Sequence, residues 1–170
     1  LPEDLIERMH SEYQKFWNEE RIAKAKEVGL TPLEVSILAS IVQAETIKSA
    51  EATVIAGLYL NRLKQGIPLQ ADPTLVFAVG DFALKRVLNV HKEVESPYNT
   101  YKYAGLPPGP INMPTIASID AVLNYTKHNY TYFCAKSDFS GHSCFTNDYN
   151  VHLKNAKAYQ DALNKKGIKR

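Results

Sequence analysis

Thr31-Pro-Leu-Glu-Val-Ser-Ile-Leu-Ala-Ser-Ile-Val-Gln-Ala-Glu-Thr46 is the stretch on which the reading of this chain turns. Thr31 followed by Pro32, Leu33 and Glu34 has the form of a capping box with proline at the first helical position. The helix it opens is apolar on nearly every side, which marks a helix buried in a core. Glu45 closes it, with Val42, Ile41 and Leu38 lying three, four and seven positions back, so its carboxylate projects from an apolar face. Burying the charged form is costly, and desolvation raises a carboxyl pKa. A carboxylic acid kept protonated near neutral pH can protonate a leaving group. The competing reading places Glu45 at an exposed helix end or in an ion pair with Arg62, and both stand at this point.

Outward from that helix, Pro2 to Val28 reads as one helix, with Leu5, Ile6, Met9, Tyr13, Phe16 and Trp17 at helical spacing and Gly29 as its stop. Ser49 is placed as the cap of a helix over 50–65 that ends at Gly66. Residues 67–74 are extended, and Asp72-Pro73 starts a short helix into Phe77. A long loop follows, Ser96 to Tyr101 and then Gly105-Leu-Pro-Pro-Gly-Pro-Ile111; its tyrosines and rigid turn argue for function over disorder. Pro114 opens a further helix through Leu123. Tyr130 to Ala135 alternates like a strand, with Ser143 to Phe145 as its hairpin partner, and Thr146 is placed as the cap of a last helix to Lys166. The predicted class is α+β, a helix-rich single catalytic domain (31–170) with a small antiparallel sheet, preceded by an N-terminal helical segment (1–30).

The chain has 170 residues, 45% hydrophobic and 22% charged, the balance of an ordinary globular protein long enough to bury a core. A formal net charge of only +2, with bases and acids interspersed, leaves no nucleic-acid footprint. The basic tail Lys165, Lys166, Lys169 and Arg170 reads as a solvated helix end. No apolar run approaches the ~20 residues needed to cross a bilayer. The opening Leu-Pro-Glu-Asp, without Met, reads as a piece of a longer protein. Cys134 and Cys144 flank a turn that can bring them within bridging reach; the alternative is two small apolar residues.

Two further groups can carry chemistry. Asn61, Arg62, Gln70 and Asp72 flank the turn between a helix and an extended loop: Arg holds carboxylates bidentately, and Asn or Gln reads hydroxyls and amides. On spacing alone, a solvated helix face with a cap at Asp72 is the plainer account. Tyr98, Asn99, Thr100, Tyr101 and Tyr103 combine flat rings with hydrogen-bonding edges, which suits a pyranose; ordinary loop packing is the plainer account. The five histidines show no HxxxH or HExxH spacing, the cysteines no CxxC, and neither a phosphate loop nor a G-x-S-x-G elbow occurs. Metal, nucleotide and serine-hydrolase chemistry lose support, and no cofactor is expected.

Taken in order, residues 38–46, Leu60-Asn-Arg-Leu63, Gly66 to Thr74, Ser96 to Tyr101, Gly105 to Ile111, Tyr132-Phe133, Gly141-His142, Phe145 and His152 resemble the YceG-like family, the MltG-type endolytic murein transglycosylases. The resemblance implies Glu45 as catalytic acid/base. The expected substrate-binding set is Asn61, Arg62, Gln70, Asp72, Thr74, Tyr98, Asn99, Thr100, Tyr101 and His142. The resemblance further implies internal cleavage of nascent peptidoglycan between N-acetylmuramic acid and N-acetylglucosamine, giving 1,6-anhydro ends that limit strand length. Cell-wall synthases are the implied partners. An N-terminal membrane anchor and a LysM-like subdomain, both outside these residues, would set the catalytic part in the periplasm or outside the cell. The chain departs from the pattern at Gln43, where many members carry Glu, and at Leu153, where Asn is usual. A muramidase-type hydrolase with Asp72 as second carboxylate and a non-catalytic glycan-binding module are the alternatives.

Overall fold

In the computed structural model, which describes residues 1–168, the chain runs α1 (Pro2–Phe16), α2 (Glu19–Val28), α3 (Pro32–Glu45), α4 (Ser49–Gln65), α5 (Asp72–Val79), a 3-10 turn (Asn89–Glu93), α6 (Ile116–Leu123), β1 (Tyr132–Ala135), β2 (Ser143–Thr146) and α7 (Tyr149–Lys165). The class is α+β as the patterning predicts, with a two-stranded antiparallel sheet. Lys169 and Arg170 lie outside the described residues.

Helices α3, α4 and α6 pack into the core, with Leu38, Ile41 and Val42 meeting Ile55, Leu58, Tyr59, Ile119 and Val122. The capping box forms: Glu34 N donates to Thr31 Oγ1 at 3.2 Å, and Thr31 N donates to Glu34 Oε2 at 2.8 Å. Helix α4 runs against the 126–128 segment so closely that a Cβ at Gly57 would collide with the Thr126 carbonyl. There His128 Nε2 lies 2.8 Å from the Val54 carbonyl. The β1–β2 hairpin pairs Tyr132 with Thr146 and Cys134 with Cys144, and α7 packs against both strands. The two cysteines face each other as free thiols, and burial, reinforced by Cys144, pushes the Cys134 thiol up to about 11.

Several sequence boundaries shift, among them the first strand, which begins at Tyr132 instead of Tyr130. The expected continuous helix 2–28 breaks after Phe16. Asn18 Oδ1 accepts from Arg21 N at 2.9 Å and starts α2, while Trp17 turns inward and packs edge-on to Phe16. Helix α1 buries no residue, whereas Ala25 and Val28 of α2 join the core. Ser49 is already helical, with Lys48 at the cap position. Thr115, accepting from Ser118 N, and not Pro114, caps α6. Asp148 caps α7, because Thr146 is the last residue of β2.

Candidate active site

Glu45 is the last residue of α3, where Thr46 turns the chain into an extended conformation. Its side chain is half-buried against the core, and the Tyr59 hydroxyl on α4, a residue only 1% exposed, donates to Oε1 at 2.5 Å. Burial pushes the Glu45 carboxyl up to about 7; the Tyr59 bond, which favours the carboxylate, opposes this and the charge of Asp72 adds to it. The negative end of the α3 dipole works in the same direction as burial. Among the described residues Glu45 makes no ion pair, so the exposed or Arg62-paired reading does not describe it.

Asp72, at the first turn of α5, repeats the motif in a wetter setting. Its Oδ1 accepts from the Tyr101 hydroxyl at 2.5 Å, and the Lys92 ammonium sits 4.9 Å from the Tyr101 ring centre. Asp72 keeps solvent contact, yet its carboxyl is raised by partial burial, against the pull of Tyr101 and Lys92. The Tyr101 hydroxyl is held up in turn by burial and by Asp72.

These two carboxyls stand at the seam of a two-lobed cleft. One lobe, about 390 Å³, is walled by Tyr59, Arg62, Gln70, Tyr101, Tyr132 and His152. The other, about 610 Å³, is walled largely by Phe77, Phe82, Val87, Ile111 and Leu163. Glu45 and Asp72 line both. A cleft of two such lobes can hold a substrate with two chemically different parts, with the carboxyls where they meet.

The structure thus brings Glu45, Arg62, Gln70, Asp72 and Tyr101 together. Arg62 is buried, and its role is internal rather than a carboxylate clamp. It donates to the carbonyls of Pro68 (2.9 Å) and Thr131 (2.5 Å) and to Gln70 Oε1 (3.2 Å). Gln70 takes a left-handed φ of 52°, uncommon for a residue with a Cβ, held by that bond and by its own N–H on the Thr100 carbonyl at 3.0 Å.

The other expected contacts fall outside the cleft. Asn61 donates to the carbonyls of His128 and Tyr130, at 2.8 and 3.0 Å, and ties that segment to α4. Asn99, fully buried, donates to the carbonyls of Lys92 and Val94 and accepts from Tyr101 N, bonds that tie the loop together. Thr74 and Thr100 share a buried hydroxyl–hydroxyl contact of 2.8 Å. Tyr98 packs on Phe77 at 4.7 Å, over the space left open by Gly109. His142 pairs with Glu51 at 3.0 Å, at the hairpin end. Sequence reading missed Tyr59 and Lys92, and took Tyr132 and His152 as family motif residues without assigning them to the site. His152 stacks on Tyr132 at 5.1 Å with a buried Nδ1 that has no partner, and burial lowers its pKa. The departure at Gln43 is structural: its amide donates to the Met113 carbonyl at 3.1 Å and accepts from Thr115 N at 2.7 Å, tying α6 to α3.

Fold and cleft together define a helix-rich α+β domain built around a carboxyl poised between its acid and base forms near neutral pH. The YceG-like family model matches residues 1–158, and the chain belongs to that family. It is 41% identical over 129 residues to an endolytic murein transglycosylase of Bacillus subtilis, covering 76% of this chain and 35% of that protein. A protein of the same description from Streptococcus pneumoniae (strain D39) is 33% identical over 134 residues, covering 76% of this chain and 24% of the relative. A crystal structure of a YceG-like protein from Listeria monocytogenes superposes with a TM-score of 0.71 at 32% identity, over 78% of this chain and 42% of that one. The chain therefore spans about a third or less of the length of these curated relatives.

Proposed function

We propose that this domain cleaves the bond between N-acetylmuramic acid and N-acetylglucosamine within peptidoglycan strands, as a lytic transglycosylase with Glu45 as acid and base. The observation that carries this reading is the Glu45 carboxyl, pushed up to about 7 and anchored through one oxygen by Tyr59, at the centre of a two-lobed cleft. Because Tyr59 occupies Oε1, the acid proton rides on Oε2. That proton passes to the glycosidic oxygen as the bond to muramic C1 breaks. The resulting carboxylate takes the proton of the same sugar's C6 hydroxyl, whose oxygen closes on C1. A 1,6-anhydro end forms and no water is consumed. Holding the nucleophile on the substrate replaces what a second carboxylate would organise, with the advantage of an intramolecular reaction.

The names of the relatives support the substrate class. On the same reading the whole protein works beside wall synthases on the outer side of the cytoplasmic membrane, held there by an N-terminal anchor. A second reading, hydrolysis, draws on Asp72, whose carboxylate faces the same cleft and acts on Glu45 through its charge. Digestion of purified glycan with mass analysis of the new ends decides. Ends lighter than hydrolysed ones by one water support the transglycosylase, water-containing ends the hydrolase, and release of soluble fragments by Glu45→Gln at the wild-type rate would refute both.

A further inference from the structure

The two lobes differ in what they can satisfy. In the larger one, the Asn112 amide and the Arg86 guanidinium on the walls are already engaged within the protein. Asn112 donates to the Ser40 carbonyl at 2.8 Å and accepts from Gln43, while Arg86 donates to Asn164 Oδ1 at 2.8 Å, to the Ile168 carbonyl at 3.2 Å and to Gln160. A sugar ring seated there would give up water at its hydroxyls and find few partners, a loss that falls on every hydroxyl so buried. What the lobe offers instead is alkyl and aromatic surface, with Phe82 74% exposed at its rim. Lys85 adds a positive charge: it is exposed, lines the lobe and makes no ion pair among the described residues.

We propose that this apolar lobe is the subsite for the acyl-peptide stem carried on the lactyl ether of the muramyl sugar, with aliphatic parts against Phe82, Val87 and Leu163 and a stem carboxylate toward Lys85. The assignment rests on the murein reading above. It follows from where the carboxyls stand: with the rings on both sides of the scissile bond in the polar lobe beside Tyr101, Tyr132 and Gln70, and Glu45 at the seam, the branch on the muramyl ring crosses into the lobe that suits acyl chains and a carboxylate.

The test uses Glu45→Gln protein as a non-cleaving binder, titrated with murein glycan fragments of one length, either bearing their peptides or stripped by an amidase. Peptide-bearing fragments bind at least about tenfold tighter, the effect of burying two or three methylene-sized groups. Phe82→Ala and Lys85→Glu, both at exposed positions where folding is not at stake, each shrink that ratio. Equal or weaker binding of the peptide-bearing fragments, or a ratio unchanged in both variants, overturns the subsite. Cleavage by the wild type is scored separately. A preference for peptide-bearing glycan without cleavage sinks the catalytic reading alone; cleavage without the preference sinks only the subsite.

Discussion

Glu45 and Asp72 each accept a 2.5 Å hydrogen bond from a tyrosine hydroxyl, and both line the cleft, yet their surroundings differ. Tyr59 is a core residue of α4, packed edge-on to Phe133 at 5.9 Å, so the Glu45 pair is fixed from below by the hydrophobic core. Tyr101 belongs to an irregular loop, and the Asp72 pair is open to solvent with Lys92 beside it. Similar local geometry therefore yields an acid raised to about 7 in one case and, in the other, a carboxyl raised by burial against the pull of Tyr101 and Lys92. Burial, and not the hydrogen bond, sets the difference; the bond from Tyr59 pulls the pKa down and loses to desolvation.

Substituting the buried partner breaks the comparison most sharply. Glu45→Gln keeps the volume and the tyrosine contact but removes the proton, and acid/base catalysis is typically worth ~10²–10⁴-fold, so turnover of glycan falls by at least that order with the fold intact. The same substitution raises stability at alkaline pH. Between the ordinary value of 4.5 and about 7, the folded protein holds a proton that the unfolded chain has released, so the burial of Glu45 subtracts stability as pH climbs through that window. A rise of 4.5 to about 7 corresponds to a penalty of up to ~3 kcal/mol once pH exceeds 7. Thermal melts of Glu45→Gln against wild type should diverge at pH 8 and coincide near pH 4. Parallel curves at both pH values would show that the carboxyl is not desolvated.

How much of this was visible in the primary structure follows the same division. Glu45 was legible because its neighbours at helical spacing are all apolar, a local signal. Tyr59 was not, because its ring belongs in the core pattern of α4 and only tertiary packing brings its hydroxyl to Glu45; the available hint was that a buried tyrosine needs a partner for its hydroxyl. For the loop residues Asn99 and Thr100, sugar contact and loop packing look alike in sequence; irregular buried backbone must find hydrogen bonds, and these side chains supply them. The break at Trp17 was written in Asn18-Glu-Glu20, a helix start that the continuous apolar spacing of 2–28 concealed.

Tyr59→Phe probes the buried pair with a smaller effect. Removing a hydrogen bond that favours the charged form moves the Glu45 pKa up, and bonds to charged groups are worth ~1.5–3 kcal/mol, so the alkaline limb of the pH–rate profile should rise by about one unit or more. The plateau rate should drop as well, since Oε1 loses the anchor that leaves Oε2 to carry the proton. A limb that stays in place while the rate falls would reduce Tyr59 to a packing residue.

Asp72→Asn should move the same limb the other way, and by less. The negative charge of Asp72 disfavours ionisation of Glu45, so its removal lowers the Glu45 pKa and the alkaline limb shifts down. Its contribution ranks below both burial and the Tyr59 bond, which places the expected shift under the one caused by Tyr59→Phe. The sign distinguishes the two roles open to Asp72. If it acts only through charge, the limb descends, product ends keep their anhydro mass and part of the rate survives. If it were the nucleophile or base of a hydrolase, the rate would collapse by ~10²-fold or more, and no pH would restore it. Pairing Asp72→Asn with Tyr101→Phe completes the contrast: the wetter pair, already compensated by Lys92, should tolerate loss of its tyrosine bond better than the buried pair tolerates loss of Tyr59.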